Sequence, residues 1–278
     1  MISQKTLQQL ELKDDFMFGA VMRDPKRCKP LLEHILGVQI REIRYPELQK
    51  IIDNTMDAKS VRLDVYIEDS DNTIYNIEMQ TTNKKNLPKR MRYYQGMIDL
   101  NIISKGDEYN QLKKSFIIFI CDYDQYKEGR YIYTFENVCL ENASIRFGDE
   151  TVKVVLNTKG TIGDIDEELR NALHYIGGEK PRGKLANLLD AGVKEVKNSE
   201  EWRREYMTLF MRDRENVKIG DYRRLVQQIR RKVDIMTYEE MADIYDTSIS
   251  DVENIVMAIK NNPDASDEDI ASIIVEES

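Results

Sequence analysis

The stretch TIYNIEMQTTNKK, residues 73–85, holds the side chains of this 278-residue chain whose types and spacing could do chemistry. It places Glu78 and Gln80 two apart on a segment of alternating polarity, and the segment before it, VRLDVYIED, carries Asp64. The alternation predicts two strands joined by a short turn around DSDNT. On the first, Leu63, Val65 and Ile67 share one face, and Arg62, Asp64 and Tyr66 share the other. On the second, Tyr75, Ile77 and Met79 oppose Ile74, Asn76, Glu78 and Gln80. A one-residue slip would mix these faces, so odd residues must pair with odd ones across a loop of about three or five residues. Asp64 then lies opposite or diagonal to Glu78, with Cβ atoms about 5 Å apart if directly opposed.

Two carboxylates that close repel unless a proton or cation sits between them. A hard divalent ion, Mg²⁺ or Mn²⁺, satisfies oxygen ligands of this kind. Such an ion polarises a phosphoryl group and lowers the pKa of an attacking water. The other reading of the pair by itself is a solvent-facing strand edge whose acids pair with Arg62 or Lys59. The adjoining segment favours the chemistry: NKKNLPKRMRYY supplies Lys84, Lys85, Lys89, Arg90 and Arg92 without an acid, then Tyr93 and Tyr94. A basic stretch beside a carboxylate pair suits a phosphodiester backbone, and the tyrosines offer stacking surface. A solvated helix start is its bland alternative.

The elements that must position these residues follow from periodicity. Residues 11–36 read as helices broken at Pro25 and stopped at Gly37, with Phe16, Phe18, Val21, Leu31, Leu32 and Ile35 on apolar positions. Strands occupy about 38–82. A helix over 87–104 carries Pro88 in its first turn. SFIIFICDY (115–123) reads as a strand buried on both faces, and RYIYTFENV and TVKVVLNT as two more. After Gly160 the texture is helical, with Trp202, Tyr206 and Leu209 on a packing stripe. His34 and His174 read as core or cap residues. The order helix, strands, helix, strand, strand is an α/β layout with mixed sheet pairing.

Net charge is −9, which looks wrong for an enzyme of nucleic acid until it is divided along the chain. Residues 233–278 hold 13 acids and one base, Lys260, whereas the other 232 residues hold 40 bases and 37 acids. The acidity belongs to the tail and the body is mildly basic. The tail segment TYEEMADIYDTSISDVENIVMAIK has helix-turn-helix spacing, with Ala242, Val252 and Ile255 as packing positions. Its second helix presents Asp251 and Glu253, so a packing or partner-binding module is the better reading than a DNA-reading one. Three cysteines, Cys28, Cys121 and Cys139, odd in number and without CxxC spacing, read as small buried thiols of a reducing cytoplasm. No apolar run long enough to span a membrane is present, and no secretory leader is expected of MISQKTLQQLELKDD.

Four motifs in order, LKDDFMFGAVM, the long run VRLDVYIEDSDNTIYNIEMQTTNKKNLPKRMRYYQGMIDL, KGDEYNQLKKSFIIFIC and GRYIYTFENVC, closely resemble the Rpn family. These are recombination-promoting nucleases, also labelled transposases, of the PD-(D/E)XK superfamily, and the resemblance spans roughly residues 8–215. It implies a restriction-endonuclease-like core, a mixed central sheet flanked by helices, here with a helical C-terminal module added. It also implies Mg²⁺- or Mn²⁺-dependent DNA cleavage with little sequence preference, in recombination, mobile-element movement or phage defence. Carried over, Asp64 and Glu78 are metal ligands, joined by the backbone carbonyl of Met79, and Asp15 binds or supports a metal or plays a structural part. Gln80 stands at the superfamily lysine position, as is usual in this family, and would position the attacking water. Arg62, Lys84 or Lys85 would then supply the charge that glutamine lacks. Gly19 departs from relatives that often carry lysine there. C-terminal regions of relatives are thought to modulate the nuclease or act as small inhibitors, which makes the acidic tail a candidate inhibitor.

The expected organisation is a nuclease-like domain over 1–180, a helical extension over 181–232 and an acidic helical module over 233–278. The expected protein is a cytoplasmic, metal-dependent DNA endonuclease, with Arg62, Lys84, Lys85, Lys89, Arg90, Arg92 and Tyr93 along its DNA path. Homodimerisation is expected of an enzyme that cuts both strands. The alternative is a nuclease-fold DNA- or protein-binding factor that has lost activity.

Overall fold

A computed structural model describes residues 5–52 and 61–276, with only the backbone described for residues 45–52, 61, 62 and 213. The chain divides into two compact units, Met1–Arg203 and Arg204–Ser278. In the first, helices α1 (Asp15–Met22) and α2 (Pro25–Leu36) precede strands β1 (Ile43–Ile52), β2 (Val61–Asp69) and β3 (Ile74–Gln80). Helix α3 (Leu87–Ile102) leads to β4 (Ser115–Cys121), β5 (Ile132–Phe135) and β6 (Thr151–Asn157), followed by helices α4 (Glu167–Ile176) and α5 (Gly183–Asn198). The punctuation is chemical: Pro25 opens α2, where its missing N–H costs nothing, and Gly37 closes it at φ +65°, a region costly for residues with a Cβ.

The six strands form one mixed sheet in the order β1-β2-β3-β4-β6-β5. β1, β2 and β3 pair antiparallel in sequence, β3-β4-β6 are parallel, and β5 returns antiparallel on β6. The expected odd-with-odd register is found: Val65 pairs with Ile77 and Ile67 with Tyr75. The Asp69 N–H donates to the Thr73 carbonyl at 3.0 Å, which leaves a three-residue loop closed by Asn72 at φ +61°. A three-residue hairpin loop ending in a left-handed residue matches the twist of the strands it joins. The carboxylate of Asp69 fastens this turn, accepting from the N–H groups of Asp71 (2.9 Å) and Thr73 (2.8 Å) and from the Tyr75 hydroxyl (2.7 Å).

The other reading of the acid pair, a solvent-facing strand edge, is not what the fold shows. β3 lies between β2 and β4 and is buried on both faces, so its polar side is no solvent-facing strand edge. Helix α3 covers that side: Leu87, Met91, Tyr94, Met97 and Ile98 pack with Tyr66, Ile74, Ile117 and Phe119. On the opposite face Tyr75 stacks on Phe116, with centroids 5.4 Å apart and planes 7° apart. Of the three cysteines, Cys28 and Cys121 are buried as expected, whereas Cys139 is only partly so and donates to Glu141. His34 bonds Asp166, the N-cap of α4, and His174 faces the Tyr131 hydroxyl, so both histidines hold the fold together. Trp202 packs edge-on against Phe16 beneath the Arg23 guanidinium, as a packing stripe would.

Helix α6 (Glu200–Arg230) runs across the division between the two units. In the second unit α7 (Tyr238–Tyr245), α8 (Ile249–Asn261) and α9 (Asp267–Glu276) close over Val226 and Ile229. Ala242, Val252 and Ile255 are buried there, as packing positions should be. Among the described residues no helix is long and apolar enough to cross a membrane.

Candidate active site

Asp64 on β2 and Glu78 on β3 meet where the regular pairing of the two strands stops. The described ladder runs from Glu68↔Ile74 to Val65↔Ile77. One step further, side chains replace carbonyls as acceptors: the Asp64 N–H donates to Glu78 Oε1 at 3.0 Å, and the Met79 N–H donates to Asp64 Oδ2 at 3.1 Å. Each acid thereby satisfies a backbone donor of the other strand, and the pair is held together as the register required.

Glu78 is completely buried, whereas Asp64 is half-buried. Burial, and then the charge of Asp64 beside it, push the Glu78 carboxyl well above the usual carboxylate range. The Asp64 N–H, Arg90 and Asn76 pull in the other direction. With its amide oriented to satisfy both ends, Asn76 donates to Glu78 Oε1 at 3.2 Å and to the Val65 carbonyl at 3.3 Å. A buried acid this costly to ionise stays charged only with a cation at hand.

Among the described residues the cation on Glu78 is Arg90, one turn into α3. Its guanidinium donates to Glu78 Oε2 at 3.1 Å, to Gln80 Oε1, and through Nε to the Tyr94 hydroxyl at 2.8 Å. It lies 5.0 Å from the centroid of Tyr94 and 5.1 Å from that of Phe119. Burial, before nearby charges, raises the Tyr94 phenol to about 12, so it stays a neutral hydroxyl here. The amide nitrogen of Gln80 donates to the Thr82 carbonyl at 2.8 Å.

The remaining sequence-derived candidates are distributed differently. Lys84 and Lys85 are exposed on the loop between β3 and α3, where Lys85 adopts φ +55°. Lys89, Arg92 and Tyr93 form the exposed face of α3, opposite its packed stripe. The side chain of Arg62 lies outside the described ones. Asp15 is exposed in the first turn of α1. Among the described residues no three His, Cys, Asp or Glu side chains gather at one point, so Asp15 does not join Asp64 and Glu78. Arg90, expected to face DNA with its neighbours, turns inward to the carboxylates instead. The usable signal is its i, i+4 spacing to Tyr94 on the flank of the apolar stripe.

The donor set suits a hard divalent cation: two carboxylates fastened to each other, one of them buried and in need of positive charge. Residues 14–151 match the model of a family described as PD-(D/E)XK nuclease family transposase. That span runs from α1 through β5 and contains Asp64, Glu78, Gln80 and Arg90. No curated protein and no solved structure gives a significant match. A mixed six-stranded sheet flanked by helices, with an acid on each of two adjacent strands, is the restriction-endonuclease-like architecture of that group. Residues 14–151 form a PD-(D/E)XK nuclease family transposase domain.

Proposed function

We propose that this protein is a divalent-metal-dependent deoxyribonuclease that cleaves phosphodiester bonds with little sequence preference. The observation that carries the proposal is the Asp64–Glu78 pair, in which each carboxylate is fixed by a backbone N–H of the neighbouring strand. Asp64, Glu78 and the carbonyl of Met79 would hold the ion, Mg²⁺ or Mn²⁺. When bound, it supplies Lewis acidity toward a phosphoryl oxygen and makes a bound water more acidic. The chain's own contribution is placement. Asn76 and the Asp64 N–H fix the Glu78 carboxylate, and burial keeps competing water away from it. Lys84, Lys85, Lys89, Arg92 and Tyr93 are exposed beside this site in the chain, as contacts to a DNA backbone need to be.

The partner is DNA, in recombination, mobile-element movement or defence against phage, and cutting both strands favours a homodimer. The acidic C-terminal segment, or a small inhibitor, competes for the same basic surface. A second reading, a nuclease-fold binding factor without activity, is favoured by one observation: Arg90 itself supplies a cation to the buried Glu78.

Plasmid nicking in Mg²⁺ or Mn²⁺, with Asp64→Ala and Glu78→Ala as controls, tests the first reading. Cleavage by the wild type and none by either variant supports it, and undiminished cleavage by the variants sinks it. Calorimetry separates the second reading: a folded wild type that takes up no Mg²⁺ or Mn²⁺ and still binds DNA is the inactive factor.

A further inference from the structure

We infer that Arg90, braced by Gln80, is the positive charge that faces the phosphodiester during cleavage, and that the pair does together what one strand lysine does elsewhere in the superfamily. The inference rests on the nuclease reading and goes beyond it, because that reading does not say which side chain makes up for the uncharged Gln80.

A guanidinium carries five N–H groups. Three are engaged, one each on Tyr94, Gln80 and Glu78, which leaves one N–H on each terminal nitrogen. The side chain is 30% exposed, so the arginine is not sealed from solvent. N–H groups on a rigid plane suit the oxygens of a phosphate. The plane itself cannot turn freely, since Tyr94 and Phe119 lie about 5 Å from it. A cation fixed before the substrate arrives pays little reorganisation cost when negative charge builds on the phosphorus oxygens.

Gln80 is committed at both ends, its carbonyl oxygen to Arg90 and its amide nitrogen to the Thr82 carbonyl. It acts as a brace for the arginine, a positioning residue rather than a holder of water. A lysine at position 80 would push an ammonium against that guanidinium, so glutamine at 80 and arginine at 90 form a matched set. The exposed Lys84 and Lys85, first suspects from sequence, make no described contact with Glu78 or Gln80.

The test uses full-length wild type, R90Q, R90K, Q80K and the double variant Q80K/R90Q. Each is assayed for plasmid nicking, Mn²⁺ uptake by calorimetry, and thermal unfolding with and without Mn²⁺. R90Q is expected to nick about 100-fold or more slowly while still taking up Mn²⁺. Its unfolding temperature should rise more on adding Mn²⁺ than that of the wild type, because its carboxylates have lost their fixed cation. Q80K alone is expected to be slow, and Q80K/R90Q to recover about tenfold over R90Q. A purely structural arginine would not be rescued by a lysine elsewhere. If R90Q does not fold, R90K decides: it keeps the charge, and a loss as complete as that of Asp64→Ala overturns the role. Nicking by R90Q equal to the wild type, or a folded, Mn²⁺-binding double variant no faster than R90Q, also overturns it. A wild type that neither takes up Mn²⁺ nor nicks ends the nuclease reading and this inference together.

Discussion

The acid pair of the first unit and the acids of the second are placed in opposite ways. In the first, Glu78 is buried against Asp64 and held by an arginine twelve residues away, at an energetic cost that burial imposes on any carboxylate. In the second, acids sit on the surface and start helices. Thr237 and Glu240 form a capping box at α7: the Glu240 N–H donates to the Thr237 hydroxyl at 3.2 Å, and the Thr237 N–H to the Glu240 carboxylate at 2.8 Å. Ser248 caps α8 by accepting from the Asp251 N–H at 3.0 Å while its hydroxyl donates to the Asp251 carboxylate at 2.6 Å, and Ser266 and Asp269 open α9 by the same exchange as α7. Much of the acidity that stands out in the tail is therefore local helix grammar, an acid in the first turn where the helix dipole favours it. Charge count alone does not mark a site. What marks one is a charge placed where it costs free energy.

The comparison can be broken at several points. The largest effect is expected at the costly acids: Glu78→Gln or Asp64→Asn should lower single-turnover nicking by about 10²–10³-fold. Retained cleavage would make the buried pair as ordinary as the surface acids. In the second unit Ile255→Ala, a fully buried position, should cost about 2–5 kcal/mol by opening a cavity. A melt of that unit should show the loss while nicking stays near wild type. Ser248→Ala should cost about 1 kcal/mol by removing a cap, again without touching cleavage.

Tyr94→Phe removes the acceptor for Arg90 Nε and leaves the ring. It should cost about 1 kcal/mol of stability and slow nicking less than R90Q does.

The cost of the buried acid also predicts a pH dependence in metal-free protein. The folded Glu78 carboxyl titrates above its unfolded value, so the native state holds its proton more tightly. Stability from this group is present below the ordinary carboxylate range and is lost as pH rises through the folded pKa. Denaturation midpoints of wild type and Glu78→Gln, followed upward from about pH 4, should diverge in that sense. Parallel curves would mean that Arg90 cancels the penalty. The smallest effect concerns the tail as an inhibitor. Val226 and Ile229 are buried with α7–α9, so a cut near residue 232 would strip their cover, and a chain ending near Arg203 is the cleaner comparison. It should nick several-fold faster than full length at low salt and equally at high salt. Equal rates at low salt would remove the inhibitor role.

Much of the hairpin is legible in the sequence. A side-chain period of two leaves only registers that keep Leu63, Val65 and Ile67 with Tyr75, Ile77 and Met79, which bring Asp64 opposite or diagonal to Glu78, and the three-residue loop selects among them. The odd loop, the break at Pro25 and the stop at Gly37 follow from equally local rules. The burial of the acid face is not legible. Asn76 and Glu78 look like outward positions on an alternating strand, and only the parallel pairing of β3 with β4, under α3, puts them inside. The capping residues of the tail stand in plain view in TYEE, SISD and SDED, but a count of charges hides them.

The sequence by itself determined that Asp64 and Glu78 share a face as opposite or diagonal neighbours, because strand register is a matter of parity within twenty residues. It also determined that no lysine would stand at position 80. Which cation answers Glu78 was decided only by the tertiary structure. Among Lys89, Arg90 and Arg92, the three basic candidates on α3, the rotation of that helix about its axis selects one. Packing of Leu87, Met91, Tyr94 and Ile98 on the sheet sets that rotation, turning Arg90 inward and leaving Lys89 and Arg92 in water. A helix fixes the spacing of its side chains, but the surface it packs against fixes where they point.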